Sequence, residues 1–117
     1  MRRALGLPEG KPVVCLVACL VPWKGHEVFL RACARALPEA DAVAVVAGAA
    51  PDCDPAPLRR LRDLARDLGL EKRVVFAGHQ GDVAGLMAAC DVVAHASTAA
   101  EPFGRVILEA MAVGRPV

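Results

Sequence analysis

The chain has 117 residues, 56% of them hydrophobic, which is enough to bury the core of one domain. A net charge of +1 and an aromatic content of 3% argue against a nucleic-acid-binding protein and against a surface for anionic membranes. The five cysteines form no CxxC pair and no Cys/His cluster, so we expect a reduced, cytoplasmic protein without a zinc site.

Four apolar runs along the chain predict buried strands, and a helical pattern follows each of them. The strands are predicted at 13–20, 42–47, 73–77 and 91–94, and the helices at 26–37, 58–68, 82–89 and from Pro102 to Gly114. Strands that alternate with helices imply a parallel sheet with right-handed crossovers and helices on both faces. The predicted fold class is therefore α/β, with residues 1–117 forming a single three-layer, Rossmann-like domain.

Apolar residues spaced three and four apart predict which side of each helix faces the core. In the first helix they are Phe29, Ala32, Cys33, Ala36 and Leu37, and Pro38 is expected to end the helix. In the second they are Leu58, Leu61, Leu64, Ala65 and Leu68, opposite a solvated face where Asp63 can pair with Arg59. Asp82 is a candidate cap for the third helix. In the last helix the apolar residues are Ile107, Ala110 and Met111.

The last seventeen residues, 101–117, come after the fourth strand at its carboxyl end. Ligands of open α/β sheets bind at this end, and a helix that begins there offers free amides to an anion. Glu101 and Glu109 would lie about 12 Å apart on a continuous helix, too far for a glycosidase pair acting on one bond. Two interpretations stay open: hydrogen bonds to two parts of one long ligand, or one glutamate favoured by the helix dipole and one that is only solvated.

Three motifs lie at the carboxyl ends of predicted strands. They are PWKGH at 22–26, VVFAG at 74–78, and EPFG at 101–104 continuing to EAMA at 109–112. Together, over about residues 12–117, they resemble the C-terminal, nucleotide-sugar-binding half of a family 4 glycosyltransferase with the GT-B fold. The resemblance implies a retaining enzyme that transfers a hexose from a UDP- or GDP-sugar to an acceptor, without a metal or other cofactor.

The resemblance also implies a role for each matching residue. Lys24 would contact the donor diphosphate and Glu101 would lie beside the donor sugar, and these two are the implied catalytic residues. The implied binding residues are Gly25 at the phosphates, Gly78 and His79 at the nucleobase mainly through backbone atoms, Phe103 and Gly104 through their amides, Val106 near the nucleoside, and Glu109 on the ribose hydroxyls.

The sequence departs from the family pattern in two respects. Cys19 stands where the family usually has an arginine, five residues before the lysine, and a thiol cannot replace a guanidinium at a diphosphate. The sequence also lacks the family's N-terminal acceptor domain and its last C-terminal elements. We therefore expect weak donor binding and catalysis only when the missing half is present. The alternative is a non-catalytic Rossmann-like module that acts through self-assembly, for which a homodimer is predicted, or through a partner chain.

Three more side chains near these motifs allow two interpretations each. His26 would either reach the phosphates or be an exposed residue in the first turn of its helix. His95 would either lie near the sugar or have a structural role. Trp23 is expected to hold its loop on the edge of the sheet rather than to stack on a ligand.

Overall fold

The computed structural model describes all 117 residues and contains a four-stranded parallel sheet. The elements are β1 (Val13–Val17), a 3-10 turn (Pro22–Lys24), α1 (His26–Ala40), β2 (Val43–Ala47), α2 (Ala56–Asp67), β3 (Val74–Gly78), α3 (Val83–Ala89), β4 (Val92–Ala94) and α4 (Arg105–Ala112). The strand order is β3-β2-β1-β4. Each predicted strand and helix is present, although β1 ends earlier than predicted.

Successive residues of a strand point to opposite faces of the sheet, and helices cover both faces. Leu16 and Val46 pack with α1 and α2 in one core. Their sequence neighbours Cys15 and Val45 pack with α3 and α4 in a second core. All five residues of β2 are buried, as expected for a central strand of a parallel sheet. These two cores give the three layers that the sequence predicted.

The first helix is longer than predicted. It runs through Pro38 to Ala40 and ends at Asp41, whose left-handed backbone (φ 47°) turns the chain towards β2. Pro38 lies in the last turn, so the hydrogen bond it removes and the crowding by its ring disturb only the end of the helix. At 15 residues α1 is the longest helix, and none of the helices is long and apolar enough to cross a membrane.

The buried side of α1 differs from the predicted one. Ala32 and Ala36, which were expected in the core, are exposed. The buried side chains are those of His26, Phe29, Leu30, Cys33 and Leu37. These residues also recur three and four apart, so the alanines and the larger side chains satisfied the same pattern. The helix turns the larger side chains inward because they bury more apolar surface than a methyl group does.

The next two helices follow the prediction more closely. On α2, Ala65 is buried and the four predicted leucines pack against the first core. The expected pair between Asp63 and Arg59 is wrong, because Asp63 lies 3.2 Å from Arg66, which is equally accessible one turn away on the same exposed face. The predicted cap of α3 is confirmed: an Asp82 carboxylate oxygen accepts the N–H of Gly85 at 2.8 Å.

The last helix begins at Arg105, not at Pro102. Gly104 precedes it with a φ of 72°, a backbone conformation outside the helix, so Pro102 lies in the loop before it. The predicted apolar side is right for Ala110, which is fully buried, and wrong for Met111. Met111 is exposed, and the side that packs on the second core consists of Val106, Ala110 and Val113. The buried residues of α4 are therefore spaced i, i+4 and i+7, counted from Val106.

Candidate functional site

A crevice opens where the chain reverses its direction across the sheet. From β1 the chain proceeds to β2 on one side, whereas β4 pairs with the other side of β1. α1 and α4, which follow β1 and β4, therefore lie on opposite faces of the sheet. Their connecting loops, residues 18–25 and 95–104, border what we call the β1–β4 crevice. In open α/β sheets such a reversal point, at the carboxyl ends of the strands, is where ligands bind.

The two loops of this crevice are in direct backbone contact. Gly25 is buried and has a φ of 77°, and a Cβ atom built on it would lie 1.8 Å from the carbonyl oxygen of Ala96. Only glycine fits this position. A second contact comes from Thr98, whose N–H donates to the carbonyl of Trp23 at 2.8 Å. The close approach of the two loops thus explains why the PWKGH motif has a glycine at position 25.

Three charged or ionisable side chains meet in the crevice, and we call them the charged cluster: Lys24, His95 and Glu101. Lys24 Nζ donates a hydrogen bond to Glu101 Oε1, and His95 Nε2 lies 3.7 Å from the same oxygen. Their side chains are 21%, 23% and 18% exposed. Lys24 Nζ also lies 4.3 Å from the centre of the Trp23 ring, within the range of a cation–π contact. The cluster is therefore partly desolvated, and loops after two adjacent strands hold it.

The electrostatics of the cluster keep Glu101 ionised. The hydrogen bond from Lys24 lowers the pKa of Glu101 below its ordinary value, burial opposes this, and the charges of Lys24 and His95 lower it further. Glu101 Oε2 is buried and has no hydrogen-bond partner. The carboxylate thus keeps one acceptor oxygen that the protein does not use.

The first turn of α4 lies beside the cluster and is uncapped. No side chain accepts a hydrogen bond from its amides. The N–H of Ile107 donates to the Gly104 carbonyl at 3.0 Å, and those of Arg105 and Val106 remain available to an anion. Gly104 at this turn is buried, whereas Phe103 is exposed. Val106 packs on the second core, and Glu109 lies further along, 3.4 Å from Arg105. Because Glu101 precedes the helix, the distance expected between two glutamates on one continuous helix does not apply.

The predicted nucleobase residues lie on the other half of the sheet. Gly78 ends β3 with a φ of 68°, and its carbonyl accepts the N–H of Gly48 at 2.8 Å. His79 follows it and is exposed. In the strand order, β3 is three positions from β4, about 14 Å at ~4.8 Å per strand. Only an extended ligand could contact both the charged cluster and Gly78.

Two more residues lie near the loop after β1. His26 is buried, so it is not an exposed first-turn residue, and it lines the cavity described below; its burial lowers the pKa of its imidazole. His26 is the first residue of α1 and directly follows Gly25, whose backbone is left-handed. Cys19 is exposed, and its Sγ donates to the carbonyl of Ala49 at 3.2 Å.

The contact of His95 with Glu101 was not deduced from the sequence, since no spacing rule links a strand end to a loop six residues later.

A cavity lies between the loop after β1 and the helices α1 and α2. It has a volume of about 250 Å³ and is lined by Leu20, Val21, Pro22, His26, Glu27, Pro57, Arg60, Leu61 and Leu64. None of the predicted site residues lines it. No group of three or more His, Cys, Asp and Glu side chains is placed to hold a metal ion. Lys24 and Glu101 meet outside this cavity, at the β1–β4 crevice, whereas the ionisable side chains of the cavity are His26, Glu27 and Arg60.

Comparison with known sequences agrees with this geometry. The chain matches the family model of the glycosyl transferases group 1 over residues 1–117. A D-inositol 3-phosphate glycosyltransferase of Mycobacterium bovis is 41% identical over 118 residues, covering 99% of this chain and 24% of the relative. An uncharacterized glycosyltransferase of Methanocaldococcus jannaschii is 38% identical over 118 residues, covering 99% of this chain and 29% of the relative. The chain thus spans less than a third of these curated relatives.

Solved structures give the same result for the fold. Anabaena Alr3699/HepE in complex with UDP and glucose is similar with a TM-score of 0.89 and 44% identity, covering 99% of this chain and 31% of that one. Sucrose-phosphate synthase from Thermosynechococcus elongatus is similar with a TM-score of 0.83 and 32% identity, covering 99% and 29%. The predicted resemblance is confirmed, and with its Rossmann-like sheet this chain belongs to the glycosyl transferases group 1 family.

Proposed function

We propose that this chain binds the nucleotide-sugar donor of a retaining glycosyltransferase that transfers a hexose to an acceptor. The observation that carries the proposal is the charged cluster beside the uncapped first turn of α4, at the reversal point of a parallel sheet. Support also comes from Alr3699/HepE, 44% identical, whose structures contain UDP, UDP-glucose, or UDP and glucose. The chain covers 31% of that protein, so the activity of a whole enzyme is part of the proposal.

In the proposed complex the diphosphate lies between Lys24 and the amides at Gly104. The bond between the sugar carbon and the diphosphate oxygen breaks, and the acceptor hydroxyl oxygen forms the new bond while its proton passes to the departing diphosphate. Negative charge grows on the leaving group, so an ammonium and oriented amides there would lower the barrier most. A metal ion has no role in this proposal, because Lys24 and the helix amides supply the positive charge.

The remaining donor groups are assigned along the same edge of the sheet. Glu101 would accept a hydrogen bond from the sugar and Glu109 from the ribose hydroxyls. Phe103 would contribute its amide and Val106 would lie near the nucleoside. The nucleobase, uracil or guanine, would reach the end of β3, where Gly78 and His79 would contact it. An extended donor is consistent with the spread of these residues over the sheet.

Calorimetric titration of the chain with UDP and GDP tests the proposal. We expect one nucleotide to bind in the micromolar to millimolar range, weakened because Cys19 cannot contact the diphosphate as an arginine would. Lys24→Ala should lower the affinity about tenfold or more, since hydrogen bonds to charged groups contribute about 1.5–3 kcal/mol. Lys72→Ala is the matched control, because Lys72 is exposed before β3 at the opposite end of the sheet. Equal affinities of the two variants would contradict the proposal.

A second candidate function rests on the apolar surface around β4 and α4. Leu108 and Met111 are exposed on α4, and Val92 is exposed on the edge strand β4, on the sheet face opposite to Val93 and α4. A sheet edge and exposed apolar side chains both favour contact with another chain. In this case the chain would act as a homodimer or through a partner chain rather than as a donor-binding unit. Sedimentation velocity over a range of concentrations tests this. A dimer that Met111→Glu dissociates would support it, and a monomer at all concentrations would exclude self-assembly.

A further inference from the structure

We propose that His95 is a positioning residue that holds the carboxylate of Glu101 in place for the donor sugar. The part concerning the sugar rests on the proposed function, whereas the hold on Glu101 rests on the structure of the chain alone. His95 directly follows β4, so its backbone is fixed by the ladder with β1. Glu101 lies in the irregular loop between β4 and α4 and has no such support of its own.

Two side chains face one oxygen of Glu101: Lys24 donates a hydrogen bond to it, and His95 Nε2 lies 3.7 Å away, beyond hydrogen-bond distance. Lys24 Nζ and His95 Nε2 both face Glu101 Oε1, one from the loop after β1 and the other from the end of β4. These are the two ionisable side chains within 4 Å of the carboxylate. Both His95 Nε2 and Glu101 Oε2 are buried without a hydrogen-bond partner, so the imidazole has no competing contact at this nitrogen. A carboxylate held by Oε1 presents Oε2 in a constant orientation.

The two contacts differ when a donor is bound. Lys24 would then be drawn to the diphosphate, because an ammonium has three donors and a diphosphate carries more charge than a carboxylate. The proposed diphosphate lies between Lys24 and the amides at Gly104, not at His95, so His95 stays with Glu101. Its contribution should therefore be largest in the complex with a nucleotide sugar and negligible for a nucleotide without the sugar.

The experiment compares UDP with UDP-glucose in calorimetric titrations of the parent chain, His95→Ala and His95→Gln. For His95→Ala we expect the UDP affinity to stay within about twofold, while the UDP-glucose affinity falls about threefold, since a contact of 3.7 Å is weaker than a hydrogen bond. His95→Gln keeps a donor at this position and should recover most of the loss. Equal losses for the two ligands, or none for UDP-glucose, would overturn the role in sugar binding.

A second readout needs no ligand. Carbon-13 NMR of the glutamate side-chain carboxyls follows the titration of Glu101, whose signal is identified by its absence in Glu101→Gln. In His95→Ala the pKa of Glu101 should move up towards its ordinary value, because one neighbour that favours the ionised form is gone. An unchanged titration would show that His95 does not hold the carboxylate. If the parent binds neither nucleotide, the proposed function fails, and this titration still decides the role of His95.

Discussion

The two halves of the carboxyl edge of the sheet are built differently. At the β1–β4 crevice, side chains from both loops meet, and Lys24, His95 and Glu101 are each about four-fifths buried. On the other half, the loops after β2 and β3 meet through a backbone bond from Gly48 to Gly78, and residues 51–55 are all exposed. The comparison suggests that the crevice is preorganised by charged side chains and the β2–β3 half by backbone shape. Side-chain substitutions at the crevice should therefore have larger effects than side-chain substitutions on the β2–β3 half.

We expect the largest effect from Gly25→Ala. The new Cβ would lie 1.8 Å from the Ala96 carbonyl oxygen, and alanine would also have to adopt a φ of 77°. One loop must move away from the other, which separates Lys24 from Glu101. The free energy of unfolding, measured with urea, should fall by about 3 kcal/mol or more.

Gly69→Ala is the matched control for this prediction. Gly69 has a φ of 74° but nothing within 4 Å of the new Cβ, so it isolates the backbone strain from the clash. That strain should cost about 1–2 kcal/mol. Equal losses of stability in the two variants would show that the contact between Gly25 and Ala96 is not a constraint on the crevice.

The charged cluster should also give the chain an acid-sensitive stability. The pKa of Glu101 in the folded chain is lowered by Lys24, so its contribution to stability is present above its ordinary value of 4.5 and is lost as the pH falls through the lowered value. Between about pH 6 and about pH 3, the urea midpoint of Glu101→Gln should fall less than that of the parent.

Part of the acid sensitivity should survive in Glu101→Gln. Asp91 accepts the N–H of Val13 at 2.8 Å and pairs with Arg2, and these contacts lower its pKa as well. The double variant with Asp91→Asn should therefore be the least sensitive to acid. Identical midpoints of the parent and Glu101→Gln at every pH would mean that the ion pair with Lys24 does not form in solution.

The effect of Glu109→Ala on donor binding should be smaller than that of Lys24→Ala. Glu109 is only partly buried and would contribute hydrogen bonds to the ribose hydroxyls, so the UDP affinity should fall about fivefold. Calorimetry measures this, with Glu39→Ala, an exposed glutamate near the end of α1, as the control for the lost charge. Unchanged UDP affinity in Glu109→Ala would contradict the proposed hydrogen bonds from the ribose hydroxyls to Glu109.

The sequence was sufficient to predict the fold and the edge of the sheet at which Lys24 and Glu101 meet. Long apolar runs that alternate with helical patterns identify the strands and the parallel sheet. Because parallel strands end at one edge, motifs that follow different strands had to converge there. Lys24 and Glu101, 77 residues apart, do form a direct contact. The roles of Gly78, His79 and Val106 in donor binding remain predictions.

The details of the site could not be predicted, because they depend on how loops pack. Pro102 signals a helix start, but the left-handed Gly104 delays that start to Arg105. The close approach of Gly25 to Ala96 depends on the spacing of two loops that no local pattern encodes. The burial of His26 follows from the same loop geometry.

The smallest effect should come from His79→Ala, and this bears most directly on the contrast between the two halves. His79 is exposed after β3, so if backbone shape receives the nucleobase, losing the imidazole should change the UDP affinity by less than about twofold. Gly78→Ala should weaken binding more, although nothing lies within 4 Å of its new Cβ, because a φ of 68° strains alanine and shifts the backbone that faces the base. Calorimetry with UDP compares the two variants. If His79→Ala weakened UDP binding more than Gly78→Ala, a side chain and not the backbone would contact the base. The two halves of the sheet edge would then not differ in the way proposed.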